Sequence, residues 1–117
     1  MRLVLVAFWV WSGGMACLTA QRVTIWTSET ALWADAVAKA PGKPRPLVNL
    51  ARQADLQHDL ATAERLYRAA VTISHDSRRP PRSQRHVRAA AQTNLAHVLM
   101  KRGDAASAMR LLDSILA

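Results

Sequence analysis

Acidic and aromatic residues are scarce in this chain of 117 residues, and cysteine is nearly absent. The single cysteine, Cys17, excludes an internal disulfide and any cysteine-rich metal site. One phenylalanine, one tyrosine and no alternation of apolar residues disfavour a sheet, whereas abundant alanine favours closely packed helices. Only four glycines and five prolines interrupt the chain. We therefore predict an all-α fold, with room for one domain and one additional segment.

The basic residues are unevenly distributed. Lysine and arginine number 16 against 8 acidic residues, a formal net charge of +8. Residues 77–88 contain no acid and hold much of this excess, so we treat 74–88 as a basic insert. This insert could bind anionic lipid or an acidic protein surface. The alternative is a solvated loop without a partner. Nucleic acid is a less favoured partner because no aromatic residues interleave to stack on bases. The arginines concerned are Arg78, Arg79, Arg82, Arg85 and Arg88.

The N-terminal segment carries no charge from Leu3 to Gln21. As a helix, 3–20 would be about 27 Å long, enough to span the hydrocarbon of a bilayer. We predict a single transmembrane anchor over 1–22 and a second region over 23–117. A cleaved signal peptide and a lipidated Cys17 are the alternatives. Small residues suited to close helix packing recur in the segment, at Ser12, Gly13, Ala16 and Ala20.

The orientation of this anchor is nearly balanced by charge, because Arg2 precedes the apolar run and Arg22 follows it. The arrangement resembles that of a signal sequence, which favours a cytoplasmic N-terminus. We therefore expect the C-terminal region on the periplasmic or extracytoplasmic side.

The remainder of the chain repeats itself at an offset of 45 residues. Residues 49–51 read Asn-Leu-Ala, as do residues 94–96, and Ala63 corresponds to Ala108. Small residues at these positions allow two antiparallel helices to approach closely, and larger residues fill the space between pairs. The repeat predicts a short stack of helical hairpins.

The repeated pattern resembles the tetratricopeptide repeat (TPR), a helix–turn–helix unit of about 34 residues. The first unit carries it at Leu47, Leu50, Ala51, Ala63, Tyr67 and Ala70, and the second at Leu95, Ala96, Leu99, Ala108, Leu112 and Ile115. Upstream, Trp33, Ala36 and Pro41 match the second helix of a further unit, whose first helix is not matched. The resemblance therefore implies about two and a half repeats. Residues 22–51 also resemble the junction at which the last membrane helix of some bacterial membrane proteins enters such repeats.

The resemblance implies a protein-binding surface. In this family the first helix of each unit lines a concave groove, whose predicted polar residues here are Arg45, Asn49, Arg52, Thr93, Asn94, His97 and Lys101. Asparagine pairs with peptide backbone, and the cations favour carboxylates. The alternative to partner binding is that Asn49 and Asn94 only cap local backbone and that the cations are solvated. Stacked repeats need covered ends, so a second predicted surface is the C-terminal apolar set Leu111, Leu112, Ile115 and Leu116.

Nothing in the sequence predicts catalysis. The four histidines lack metal-ligand spacing, no glycine-rich phosphate loop occurs, and no serine has a plausible catalytic base nearby in sequence. We expect no enzymatic activity, metal or cofactor. The sequence predicts a membrane-anchored scaffold or assembly subunit with protein partners, in homo- or hetero-oligomers. The alternatives are an adaptor for acidic peptides and an arginine-rich module that binds membrane or nucleic acid.

Overall fold

The computed structural model describes residues 28–76 and 81–117, and within them it contains five α-helices and no strand. The first, α1, covers 28–39. The others are α2 (Pro44–Leu56), α3 (Leu60–His75), α4 (Arg82–Lys101) and α5 (Ala105–Leu116). The predicted all-α fold is confirmed for this part of the chain.

The helix starts follow local capping rules. Pro44 is the first residue of α2, where its missing N–H costs no helical hydrogen bond. Asp59 begins α3 by accepting a hydrogen bond from the Thr62 N–H at 3.2 Å, and Asp104 begins α5 by accepting from the Ser107 N–H at 3.0 Å. These two aspartates are 45 residues apart, so the sequence repeat extends to the caps.

The turns before α3 and α5 also share their backbone hydrogen bonds. The N–H of Asp59 donates to the carbonyl of Ala54 at 2.9 Å, and the N–H of Asp104 donates to the carbonyl of Leu99 at 2.9 Å. Such bonds satisfy carbonyls that the end of a helix leaves without partners. Because each turn contains only a few residues, α2 and α3 lie antiparallel, as do α4 and α5.

Small residues form the contacts between helices. α2 packs on α3, α3 on α4 and α4 on α5, and α2 also touches α4. Alanines are completely buried where these helices meet, which brings their backbones close together. Larger side chains fill the spaces between them. The buried apolar core comprises Leu47, Ala51, Ala54, Ala63, Tyr67, Ala70, Ala91, Leu95, Ala96, Val98, Leu99 and Ala108.

Helix α1 joins the stack at α2. The Gln53 amide donates to the Glu29 carboxylate at 2.7 Å, and the Gln57 amide donates to the Thr30 hydroxyl at 3.3 Å. Val37 packs against the core. The chain therefore enters the described domain beside the C-terminal end of α2.

The basic insert is not simply a loop. α4 begins at Arg82, so its first two turns lie within the stretch 74–88 that the sequence predicts to be an insert. Pro81 precedes this helix, as a residue that fits a helix start but not a helix interior. At the other side of the insert, α3 continues to His75. Arg78 and Arg79 lie outside the described residues.

The predicted membrane anchor also lies outside the described residues, together with its small-residue set Ser12, Gly13, Ala16 and Ala20. Among the helices of 28–76 and 81–117, none has a stretch long and apolar enough to cross a bilayer.

Candidate interaction groove

The contact between α2 and α4 creates a cleft of about 590 Å³. Arg45 and Asn49, two of the residues proposed for the groove, line it from α2 together with Val48. The side chains from α4 differ from the predicted ones. They are Ser83, His86, Val87 and Ala90, which belong to the N-terminal half of that helix.

A second cleft, of about 350 Å³, lies between α1 and α2. Asn49 lines both clefts, so they adjoin across α2, and Arg52 lines the second one. Apolar side chains that the sequence analysis did not select complete this wall. They are Leu32, Trp33 and Leu56, with Glu29 and Gln53 as polar neighbours. We call the two clefts together the α2 groove.

One end of the α2 groove is cationic. Beside the N-terminal end of α2, a further cleft of about 380 Å³ is lined by Lys43, Arg45 and residues of α4. No carboxylate lines this cleft or the adjoining one between α2 and α4. At the other end, Glu29 is already hydrogen-bonded to Gln53. An extended ligand with a negative charge at one end would match this arrangement.

The predicted residues on α4 are only partly available to a ligand. Asn94 is hydrogen-bonded to the Tyr67 side chain, and the Lys101 ammonium forms an ion pair with Asp55 at 2.8 Å. Thr93 and His97 are exposed on the same helix but line neither cleft of the α2 groove. The structure thus brings Arg45, Asn49 and Arg52 together, and gives Asn94 and Lys101 contacts within the fold.

Sequence reasoning missed the α4 residues of the groove for one reason. Ser83, His86, Val87 and Ala90 have the spacing of one helical face. The first three of these residues lie within 74–88, which the charge pattern predicts to be an insert. Pro81, which fits a helix start, is the local signal that a helix begins there.

Ion pairs connect the first repeat unit to the second. Glu64 of α3 accepts hydrogen bonds from Arg68 on its own helix and from Arg102 at the end of α4. Burial acts to raise the pKa of Glu64, but these bonds outweigh it and the pKa lies below its ordinary value. The Asp55–Lys101 pair likewise joins α2 to α4. Charged contacts therefore connect α2 and α3 to the C-terminal end of α4, in addition to the apolar core.

The described residues offer little for acid–base or metal chemistry. In 28–76 and 81–117, no group of three or more His, Cys, Asp or Glu side chains could hold a metal ion. Burial raises the pKa of the Tyr67 hydroxyl to about 12, and this residue belongs to the core. The lowered pKa values of Asp59 and Asp104 come from their capping hydrogen bonds. These shifts have structural causes and do not mark a reactive site.

The predicted C-terminal apolar surface is partly occupied by the fold. Leu111 is half-buried and packs against the core, and Ile115 is half-buried as well. Leu112 is 37% exposed and Leu116 is 87% exposed. Tyr67, at the position equivalent to Leu112 in the first unit, is only 1% exposed because α4 covers it. Nothing in the described part of the chain covers Leu112 in the same way.

The three described arginines of the basic insert, Arg82, Arg85 and Arg88, do not all line one cleft. Arg82 is exposed at the first turn of α4. Arg85 and Arg88 instead line a cleft between α4 and α5, outside the α2 groove. Arg88 is half-buried, and its guanidinium donates a hydrogen bond to Nε2 of His75 at 2.7 Å.

Comparison with known proteins does not identify this fold. No model of a protein family matches the chain, and neither a curated protein nor a solved structure is similar enough to match it.

Proposed function

We propose that this chain is a non-catalytic, membrane-anchored scaffold subunit that holds a protein partner on a short TPR-like stack of helices. The observation that carries the proposal is the α2 groove, which runs across α2 from Trp33 on one side to Val87 on the other. A concave surface with an apolar floor and a few polar groups is typical of binding sites. The uncharged run at 3–20 supports the anchor.

The helical repeat supports a binding role rather than a reaction. The 45-residue repeat reproduces caps, turns and buried alanines, all of which serve packing. The groove combines an arginine, an asparagine, a serine and a histidine with apolar residues. None of its carboxylates is paired with a base, since Glu29 binds an amide. On the same grounds we propose that the chain needs no metal or cofactor.

A second candidate is an adaptor that binds acidic peptide segments reversibly. The cationic end of the groove favours it, because Lys43 and Arg45 have no carboxylate in the clefts that they line. Cations without partners at the rim of a groove attract acidic segments and make binding dependent on salt. Docking through the apolar residues Leu112 and Leu116 would instead survive high salt.

The test uses photo-crosslinking of the full chain in its native membrane. A photoreactive residue replaces Ala90, an exposed residue that lines the groove, or Ala61, an exposed alanine of α3 used as the control. We expect a discrete crosslinked protein band from position 90 and none from position 61. Identical bands from both positions, or none from position 90, would contradict a partner in the groove.

Two further variants separate the scaffold from the adaptor. Arg45→Glu reverses a charge in the groove, and Leu112→Glu places a charge on α5. If the groove binds acidic segments reversibly, Arg45→Glu and high salt each abolish the crosslink at position 90, and Leu112→Glu leaves it unchanged. If the chain is a stable scaffold subunit, apolar contacts hold the partner in the groove, so the crosslink at position 90 persists in high salt.

The location and the remaining partners follow from the same proposal. We propose a single-pass protein with its helical domain on the periplasmic or extracytoplasmic side. Anionic lipid and nucleic acid are less favoured partners than protein, since the described arginines of 74–88 do not all line one cleft. Binding of duplex or single-stranded nucleic acid by the full chain, falling steeply with salt, would favour the electrostatic alternative.

A further inference from the structure

A cleft of about 280 Å³ lies between the N-terminal half of α4 and the C-terminal end of α5. It is separate from the α2 groove, with which it shares no residue. The residues that line it are Arg85, Arg88, Ala89, Gln92, Ser114 and Ile115.

Two guanidinium groups face this cleft from successive turns of α4. Arg85 and Arg88 are three residues apart, so they lie on the same side of the helix. Neither forms an ion pair with a carboxylate in the described residues, where the pairs involve Lys39, Arg68, Lys101 and Arg102. His75 accepts a hydrogen bond from Arg88 at 2.7 Å and so restrains its guanidinium. Several N–H donors of the two arginines therefore remain available.

Gln92 also lines this cleft, and the residue is only 9% exposed. An amide offers two N–H donors, which an anionic oxygen could accept. On the opposite wall, the Ser114 hydroxyl already donates to the Leu111 carbonyl at 2.6 Å, so the donors for an anion come from α4.

We propose that this cleft binds the phosphate group of a soluble ligand, held by Arg85, Arg88 and Gln92. The planar fork of donors on a guanidinium matches the spacing of phosphate oxygens, and paired arginines make such contacts strong. No carboxylate lines the cleft to repel the anion. This activity would be additional to the proposed binding of protein in the α2 groove.

The position of the cleft favours a soluble phosphate over a bilayer headgroup. The chain enters the described domain at Thr30, beside Gln57 at the C-terminal end of α2. The cleft lies at the opposite end, where His75 ends α3 and contacts Arg88. The 16 residues of α3 separate the two ends, a distance of about 24 Å. The cleft therefore lies at the end of the domain opposite the one at which α1 begins, and α1 is the helix that follows the predicted anchor in the sequence.

The experiment titrates the full chain with inorganic phosphate in a maltoside detergent, which carries no phosphate, while NMR follows the side-chain NH₂ signal of Gln92. We expect a saturable shift of this signal with phosphate and none with chloride at equal ionic strength. Arg85→Gln should weaken the apparent affinity at least about tenfold, since a hydrogen bond to a charged group is lost. Arg65→Gln is the matched control, because Arg65 is an exposed arginine of α3 outside this cleft.

Several results would overturn the proposal. If the Gln92 signal does not respond to phosphate, or responds equally to chloride, the cleft is not a phosphate-binding site. If Arg85→Gln keeps both its affinity for phosphate and its helicity by circular dichroism, the arginines do not hold the phosphate. A second titration uses a short-chain phosphatidic acid in place of phosphate. A response to this lipid alone would contradict a soluble ligand.

Discussion

His58 and Gly103 occupy equivalent places in two turns 45 residues apart, and both have a left-handed backbone, with φ of 61° at His58 and 85° at Gly103. Glycine adopts this conformation without a steric penalty, whereas a residue with a Cβ pays about 1–2 kcal/mol. The first turn therefore holds a strained residue where the second holds an unstrained one. Each turn joins the two helices of one hairpin, so the difference affects the stability of the first unit.

We predict that His58→Gly stabilises the protein by up to about 1 kcal/mol, since relief of the left-handed strain exceeds the entropy cost of glycine. The reciprocal change, Gly103→Ala, should destabilise by about 1 kcal/mol, although an added Cβ there meets no atom within 4 Å. Thermal unfolding of the full chain, followed by circular dichroism, measures both. Shifts of the same sign in the two variants would contradict this account of the turns.

Ala63 and Ala108 should not tolerate larger side chains. Both are buried at helix–helix contacts, with 0% and 1% of their surfaces exposed. We expect Ala63→Leu and Ala108→Leu each to destabilise the fold by roughly 1–3 kcal/mol, because overpacking forces the helices apart. The matched controls are Ala61→Leu and Ala106→Leu, at exposed positions on the same helices, where the change should stay within about 0.5 kcal/mol. Equal melting temperatures in all four variants would refute the proposed packing.

Tyr67 provides a spectroscopic test of the core. It is the only tyrosine of the chain, and burial raises its pKa to about 12 from the ordinary value of 10.0. A raised pKa favours the neutral hydroxyl in the folded state, so its contribution to stability is complete below pH 10 and is lost as the pH rises through 12. Tyrosinate absorbance should appear near pH 12 in the folded protein and near pH 10 in urea. Titration near pH 10 in both conditions would show that Tyr67 is not buried.

Three carboxylates should make the fold sensitive to acid. Capping hydrogen bonds from Thr62 and Ser107 lower the pKa values of Asp59 and Asp104. The pKa of Glu64 is also lowered, since its bonds to arginines outweigh its burial. Lowered pKa values contribute stability that is present above the unfolded values, 3.8 for Asp and 4.5 for Glu, and is lost as the pH falls through the folded ones.

The double variant Asp59→Asn, Asp104→Asn isolates this effect. Asparagine caps a helix about as well as aspartate, so stability at neutral pH should change little, while the loss of stability below about pH 4 becomes shallower. Chemical denaturation at a series of pH values provides the measurement. If the double variant loses stability in acid as steeply as the unchanged chain, groups other than these two aspartates cause the acid sensitivity.

The anchor prediction can be checked independently of the domain. Because 3–20 carries no charge, the full chain should remain in the membrane fraction after carbonate washing, with Met1 present in its mass. A soluble species that begins near Cys17 or Gln21 would show instead that the segment is a cleaved signal peptide.

Much of the architecture could be predicted from local patterns. Alanine content, the spacing of apolar residues and the 45-residue repeat predicted helices with small residues at their contacts, and the positions of Ala51, Ala63 and Ala108 in the core agree. Capping by Asp59 and Asp104 depends on neighbours three residues away, so it too is a local property.

The composition of the clefts depended on contacts between distant segments. Arg45 meets Ser83 and Val87 only because α4 starts at Arg82 and packs beside α2, and no short-range pattern specifies that neighbour. Arg85 and Arg88, part of the same basic run in the sequence, turn towards α5 instead of the groove. A run of charges reveals how many cations are present, whereas successive residues of a helix point in directions 100° apart. The helices that pack around α4 therefore decide which surface each arginine joins.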